Sequence, residues 1–194
     1  MRIVASFIVG LVLLFSQMVC NAQRSEYSYW ETYGQYVPVA VAEFLGCTGV
    51  EVHDRFWLRS FKVGASFVTE GIVVKSLKYA IDEERPDGRA NNSFPSGHTA
   101  TAFNGAELVR YEYGTWWGVG AYTLATAVGL SRVYHKRHYI WDVGAGAVFG
   151  VLSARIGIQT VSKIKEKLDS RESSVSFSPM ISPNGASMYF SMSF

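Results

Sequence analysis

The chain reads as an all-α protein: a single bundle of five or six helices with a C-terminal β-hairpin appended. Three observations point there. Apolar stretches at 37–50, 61–81, 99–110, 116–130 and 141–160 are each long enough for a helix and are separated by short polar or glycine-containing turns. No repeat or low-complexity linker breaks them before about residue 170. From Val175 the apolar period switches from helical to alternating.

The 194 residues suit one domain with a real core, at 48% hydrophobic, 14% aromatic and 18% charged. Lys and Arg number 18 against 16 Asp and Glu, which excludes a charge-driven nucleic-acid binder and a disordered chain. Arg2 followed by an uncharged run from Ile3 to Val19 and small residues at Cys20 and Ala22 reads as a secretory signal over 1–22, with an uncleaved anchor as the rival. The expected organisation is therefore signal 1–22, helical domain 23–170 and tail 171–194, in an exported protein of the periplasm or of the periplasmic face of a bacterial envelope membrane. Cleavage leaves Cys47 alone, so packing rather than a disulfide must hold the fold.

Taken in order, the 61–81 helix is expected to end near Pro86, which disfavours helix at the residue before it. Ser96 or a neighbour can cap the helix starting near Thr99. Gly114 with Gly118, and Gly146 with Gly150, are i, i+4 pairs that would let backbones approach closely. Tyr113 to Ser131 is the longest charge-free run after the signal, whereas Glu43, Glu70, Lys75, Glu107, Asp142 and Arg155 interrupt the others, which argues against a conventional six-span protein. Tyr111, Tyr113, Trp116 and Trp117 crowd one end of that run, and Tyr27, Tyr29, Trp30, Tyr33 and Tyr36 crowd the mature N-terminus. Such rings suit a membrane interface or an aromatic core equally. In the tail, Val175, Phe177 and Ile181 alternate with serines, Pro183-Asn184-Gly185 makes a turn, and Met188, Phe190, Met192 and Phe194 alternate again.

Three segments carry the chemistry. Lys78 and Arg85-Pro86 are seven apart, which on a helix returns to nearly the same face. Pro95-Ser96-Gly97-His98 opens a helix, so the amides of Ser96, Gly97 and His98 would lie at the positive end of its dipole, where phosphate binds well. Gly97 admits close approach of a ligand, and the imidazole of His98 titrates near neutrality. In Ser131-Arg132 followed by His138 and Asp142, a helical i, i+4 spacing lets the carboxylate take a proton from one imidazole nitrogen and leave the other nucleophilic. Each segment alone is commonly a cap, a basic helix end or a helix-stabilising contact. Eleven specified positions in order are not a coincidence.

The three segments, K-x6-R-P, P-S-G-H and S-R-x5-H-x3-D, resemble the signature of the type 2 phosphatidic acid phosphatase superfamily, which includes lipid phosphatases, bacterial non-specific acid phosphatases and vanadium haloperoxidases. The resemblance covers Lys78 to Asp142 and has no departure at a signature position. It implies a metal-independent phosphomonoesterase. Lys78, Arg85 and Arg132, with Ser96 and the Gly97 amide, would hold the phosphoryl oxygens. His138, oriented by Asp142, would attack phosphorus to form a phosphohistidine while His98 protonates the leaving group and then activates water. No cofactor or metal is expected, because three fixed cations take the charge-neutralising role. His53-Asp54 and His135 read as ordinary polar residues, and Lys136 and Arg137 as solvated.

The expected partner is a phosphorylated lipid or other phosphate monoester at a membrane surface, with no nucleic acid. Compact exported members resemble lipid A phosphatases, which makes the lipid A 4′-phosphate the substrate to name. A soluble broad-specificity periplasmic acid phosphatase, a haloperoxidase and a non-catalytic envelope anion binder stay open at this stage.

Overall fold

A computed structural model describes residues 33–46, 50, 52–172, 175–182 and 185–192. The proposed signal, Cys47 and the tail's Pro183-Asn184 lie outside them. A 3-10 turn at Gly34–Tyr36 leads into five helices among the described residues: α1 Val37–Leu45, α2 Phe56–Ala80, α3 Gly97–Tyr113, α4 Thr115–Tyr134 and α5 Ile140–Glu172. The chain forms two compact units, one through Ile158 and one from Gln159. The all-α class rests on the helices.

Local chemistry sets the boundaries. Pro38 sits in the first turn of α1, where its missing N–H costs nothing. That helix ends at Leu45 rather than near 50. α2 begins at Phe56, five residues earlier than its apolar run, after Arg55 in an extended conformation. It stops at Ala80 rather than at Arg85, because the residues beyond bond elsewhere: the Arg85 amide donates to the Ala90 carbonyl, and the Glu83 carbonyl accepts from the Ser93 amide. Lys78 and Arg85 therefore do not share a helix face. Gly114 has φ +87 and marks the break between α3 and α4, so it is a junction residue and not half of a packing pair. α5 continues twelve residues past its apolar run, through a segment of polar helix formers.

The centre is α3, packed against α1, α2 and α4. Its core is built from small side chains: Ala42, Ala102, Ala106, Ala121 and Ala125 with Val109 and Val128, ringed by Val37, Phe103, Tyr113, Trp117 and Tyr122. Alanine and glycine bring backbones close enough for dispersion contacts to replace bulk. A Cβ at Gly146 would come within 2.5 Å of the Ser96 carbonyl, and one at Gly150 would overlap the Ala100 carbonyl, so α5 lies directly on the start of α3 as that pair predicts. Leu108, Ala154 and Ile158 close a second cluster with Val63, Phe67 and Tyr111.

Polarity is distributed opposite to that of an ordinary soluble bundle. Arg59, Lys62, Ser66 and Glu70 form one face of α2 and are buried, as are Glu107 and Glu112 of α3. Lys62 is 2% exposed and Glu107 1%, while Tyr79 is 89%, Trp116 77% and Phe61 65% exposed. Across the middle of the bundle the exposed positions are Phe61, Gly64, Val68 and Ile72 on α2, Trp116, Val119, Thr123, Thr126 and Leu130 on α4, and Gly144, Val148 and Leu152 on α5. None is charged. The acidic residues that interrupt the apolar stretches, Glu70, Glu107 and Asp142, point inward and do not break this surface. Rings edge it at both ends. At 1.5 Å per residue, Trp57 and Tyr79 are about 33 Å apart along α2, and Trp116 and Tyr134 about 27 Å apart along α4. By length and composition, one described helix, over Ile140–Ser170, is apolar enough to cross a membrane.

Candidate active site

The eight residues singled out by spacing come together where α2 and α4 end and α3 and α5 begin. Lys78 is in the last turn of α2. Its ammonium donates to the Asn92 carbonyl at 2.6 Å, which ties it to the loop that carries Arg85 and Ser93. Ser96 is the N-cap of α3 by backbone geometry. Its hydroxyl does not cap the helix but bonds the Thr99 hydroxyl at 2.9 Å. The first-turn amides of α3, including those of Gly97 and His98, therefore have no acceptor within the helix. Arg132 is buried in the last turn of α4. His138 is not helical; it sits in the loop before α5, whose bend returns the Arg137 amide to the Arg132 carbonyl at 2.9 Å.

His138 and Asp142 meet without sharing a helix. The imidazole Nδ1 is 3.6 Å from Asp142 Oδ2, with both side chains buried. The same carboxylate oxygen accepts the Tyr139 amide at 2.9 Å and the Ser93 hydroxyl. The Asp142 carbonyl accepts the Ser96 amide at 3.0 Å, linking the start of α5 to the cap of α3.

Charge dominates the site. Burial, and then the charges of Arg132, His138, Arg85 and Lys78, hold His98 down at about 3. Burial and the charges of Lys78, Arg85 and Arg132 lower His138 to about 4, against the opposing pull of Asp142. Lys78, in the last turn of α2, adds its charge to those of Arg85 and Arg132. Both imidazoles are thus neutral in the empty site. The arrangement can hold a multiply charged oxyanion and offers one imidazole whose lone pair is free to attack. A bound dianion would reverse the field on His98 and make it protonatable.

Sequence reasoning missed three supports. Ser93 is fully buried against Asp142 and 3.5 Å from His138 Nδ1, yet in the sequence it is one more polar residue in Asn91-Asn92-Ser93. Arg137, expected to be solvated, pairs with Asp87 at 3.1 Å and joins the two loops. Trp141, stacked on Tyr139 at 4.6 Å, donates to Glu83 at 2.9 Å and makes a second tie. These contacts span more than 40 positions, and no local pattern encodes them. His135 bonds the Ser131 carbonyl at 2.8 Å and His53 packs edge-on to Tyr111, as ordinary polar residues do.

Comparison with known proteins gives a consistent picture. The PAP2 superfamily model matches residues 59–166. A lipid A 1-phosphatase from Porphyromonas gingivalis is 39% identical over 129 residues, 63% of this chain and 28% of that protein. The bacitracin transport permease protein BcrC of Bacillus licheniformis is 34% identical over 131 residues, 66% of this chain and 54% of that protein. The chain thus spans from about a quarter to about half of the length of these relatives. The crystal structure of Aquifex aeolicus LpxE superposes with a TM-score of 0.54 at 22% identity, covering 76% of this chain and 94% of that one, a likeness of fold.

Proposed function

Because the chain belongs to the PAP2 superfamily, we propose that it is a phosphatase of membrane lipids, with its helices crossing a bilayer and its site at one surface. One observation carries this reading: cations and two depressed imidazoles are gathered at one end of a bundle that, away from that end, buries charge beneath an apolar band. The ring-to-ring distances match a hydrocarbon core of about 30 Å. A soluble bundle would solvate Lys62 and Glu107 and bury Val68 and Leu130.

In this reading the site residues divide the chemistry among them. Lys78, Arg85 and Arg132 neutralise the phosphoryl oxygens, aided by Ser96 and the Gly97 amide. His138 is oriented through Nδ1, so Nε2 attacks phosphorus in line as the bond to the leaving oxygen breaks. His98, protonated once the dianion offsets the surrounding cations, gives its proton to the departing alkoxide. Water then attacks the phosphohistidine, His98 takes the proton, and inorganic phosphate leaves.

Among substrates, a phosphorylated envelope lipid fits a site opening at the ring-lined edge, where Tyr79, Tyr134 and Trp141 are exposed. Lipid A is the lipid we name, presented on the periplasmic face. The Porphyromonas relative is named for the 1-phosphate, which makes that position the leading one over the 4′-phosphate expected from sequence. The test is phosphate release by the full chain in detergent from lipid A, phosphatidylglycerol phosphate, undecaprenyl pyrophosphate and a soluble aryl phosphate. Product mass spectrometry then assigns the lipid A position lost. Release from a lipid, from protein that resists detergent-free extraction, is expected; activity confined to the aryl phosphate overturns the lipid reading.

A further inference from the structure

Ser93 carries a fully buried hydroxyl beside the proposed nucleophile that takes no part in the steps above. Ser93 is 0% exposed, and its amide is anchored to the Glu83 carbonyl at 2.9 Å. Its hydroxyl reaches Asp142 Oδ2 and lies 3.5 Å from His138 Nδ1. We propose that Ser93 is a positioning residue that fixes the Asp142 carboxylate, and through it the tautomer of His138, for attack on phosphorus. The inference rests on the phosphatase reading of the site.

Hydrogen accounting carries the argument. Asp142 Oδ1 is buried and has no hydrogen-bond partner among the described residues, so nothing there sets the rotation of the carboxylate. Its orientation is held through Oδ2, which faces Ser93, the Tyr139 amide and His138 Nδ1. A serine hydroxyl has one proton. Given to Asp142, it leaves only lone pairs toward His138, as the carboxylate does. Both neighbours of Nδ1 are then acceptors, and the neutral imidazole lowers its energy by carrying its proton there. Nε2 is left with the lone pair. Without the hydroxyl, the carboxylate loses one of its two holding donors, and the ring loses one of the two acceptors that select its tautomer.

The consequence is electrostatic as well as geometric. The groups facing His138 are Lys78, Arg85, Arg132 and His98, which disfavour its protonation, and Asp142, which favours it. Ser93 disperses part of the Asp142 charge. Removing its proton concentrates that charge on the imidazole and makes His138 easier to protonate.

In Ser93→Ala, kcat should fall about 10- to 100-fold, the range for losing a hydrogen bond to a charged group, with KM within about twofold. The acid limb of kcat/KM should move to higher pH, and Ser93→Thr, which keeps the hydroxyl, should recover most of kcat and the original limb. The ring signals of His138, followed by NMR against pH in the full chain, should titrate higher in Ser93→Ala. That reading needs no turnover: if wild type releases phosphate from no ester, the phosphatase reading fails while the titration still decides the role of Ser93. An Ala variant within about twofold of wild type with an unmoved limb overturns the proposal. So does equal loss in the Ala and Thr variants with an unchanged His138 titration, which would mark Ser93 as packing alone.

Discussion

The two ends of the bundle both bury ionisable side chains and treat them in opposite ways. At one end charge is largely matched, with Glu112 Oε1 a buried carboxylate oxygen there that has no partner among the described residues. Glu107 accepts from Arg110 at 2.6 Å, from Arg155 at 2.9 Å and from the Tyr122 hydroxyl. Lys62 lies against Asp54 and donates to the Tyr111 hydroxyl at 2.9 Å, and Arg59 pairs with Glu43 at 3.4 Å. At the other end Lys78, Arg85 and Arg132 bear on two imidazoles, with Asp142 as the opposing carboxylate. Matching spares the packed helices an uncompensated buried charge; an excess of one sign destabilises the empty fold and is tolerable where a ligand of opposite sign offsets it. The difference separates residues that hold the bundle from those to which the proposed reaction is assigned.

The sharpest way to break that comparison is to mutate one residue at each end. His138→Ala should lower phosphate release at least about 1,000-fold while leaving the melting temperature unchanged. Glu107→Gln should do the reverse. Weakening a buried carboxylate that serves two arginines costs about 2 kcal/mol, or about 4–8 °C in Tm, with kcat largely retained. Calorimetry beside a phosphate-release assay reads both. A large drop in Tm for His138→Ala would remove the distinction.

The next effect tests whether the excess is a burden. Arg85 Nε is buried with no acceptor among the described residues. Arg85→Met keeps the bulk, deletes the charge and should slow turnover about 100-fold. Its ligand-free melting temperature should equal or exceed that of wild type. A clear fall in Tm would mean that Arg85 is matched after all.

How much of this was readable in advance divides along the same line. Residues at the anion end announce themselves, because Lys78, Arg85, Ser96, Gly97, His98, Arg132, His138 and Asp142 are chemistry-bearing types at fixed gaps. Their presentation was not readable. The helical-face arguments for Lys78 with Arg85 and for His138 with Asp142 both assumed a continuous helix, and long-range bonds from the 81–96 loop and the bend at 135–139 replace it. The matched end was hidden for another reason. Hydropathy along the chain counts every face alike, so inward-pointing Glu70 and Glu107 weighed against an apolar exterior. One signal was available: Arg59, Lys62, Ser66 and Glu70 recur at helical spacing and mark a polar face on α2, opposite Phe61, Val68 and Ile72.

A smaller effect sharpens the electrostatic reading. Sulfate keeps its charge across the working range, so its binding reports on the protein's protons. With His98 at about 3 in the empty site, a bound dianion raises it, and between the two values binding takes up a proton. Sulfate inhibition should therefore tighten as pH falls from 7 to 5, by at most about tenfold per unit, and His98→Asn should flatten the slope. The same depression makes the empty protein acid-sensitive. Unfolded histidine binds its proton near pH 6.5, before the folded site does, so Tm should fall on acidification below that value and sulfate should restore it.

The smallest expected effect lies at the rim. Trp141 is 55% exposed and donates through its indole to Glu83 at 2.9 Å, tying the start of α5 to the loop that carries Arg85 and Ser93. Trp141→Phe keeps a ring to stack on Tyr139 and deletes the tie. The Arg137–Asp87 pair still joins the two loops, and an exposed hydrogen bond contributes little beside it. Turnover of a soluble aryl phosphate should change by no more than about threefold, on the order of one weak contact. A lipid substrate presented in vesicles should be more sensitive, because an indole at a membrane edge also anchors the site to the interface. Comparing the two substrates separates the roles. An equal loss on both would assign Trp141 to the site, and a loss on vesicles alone would assign it to the membrane edge that distinguishes this end of the bundle.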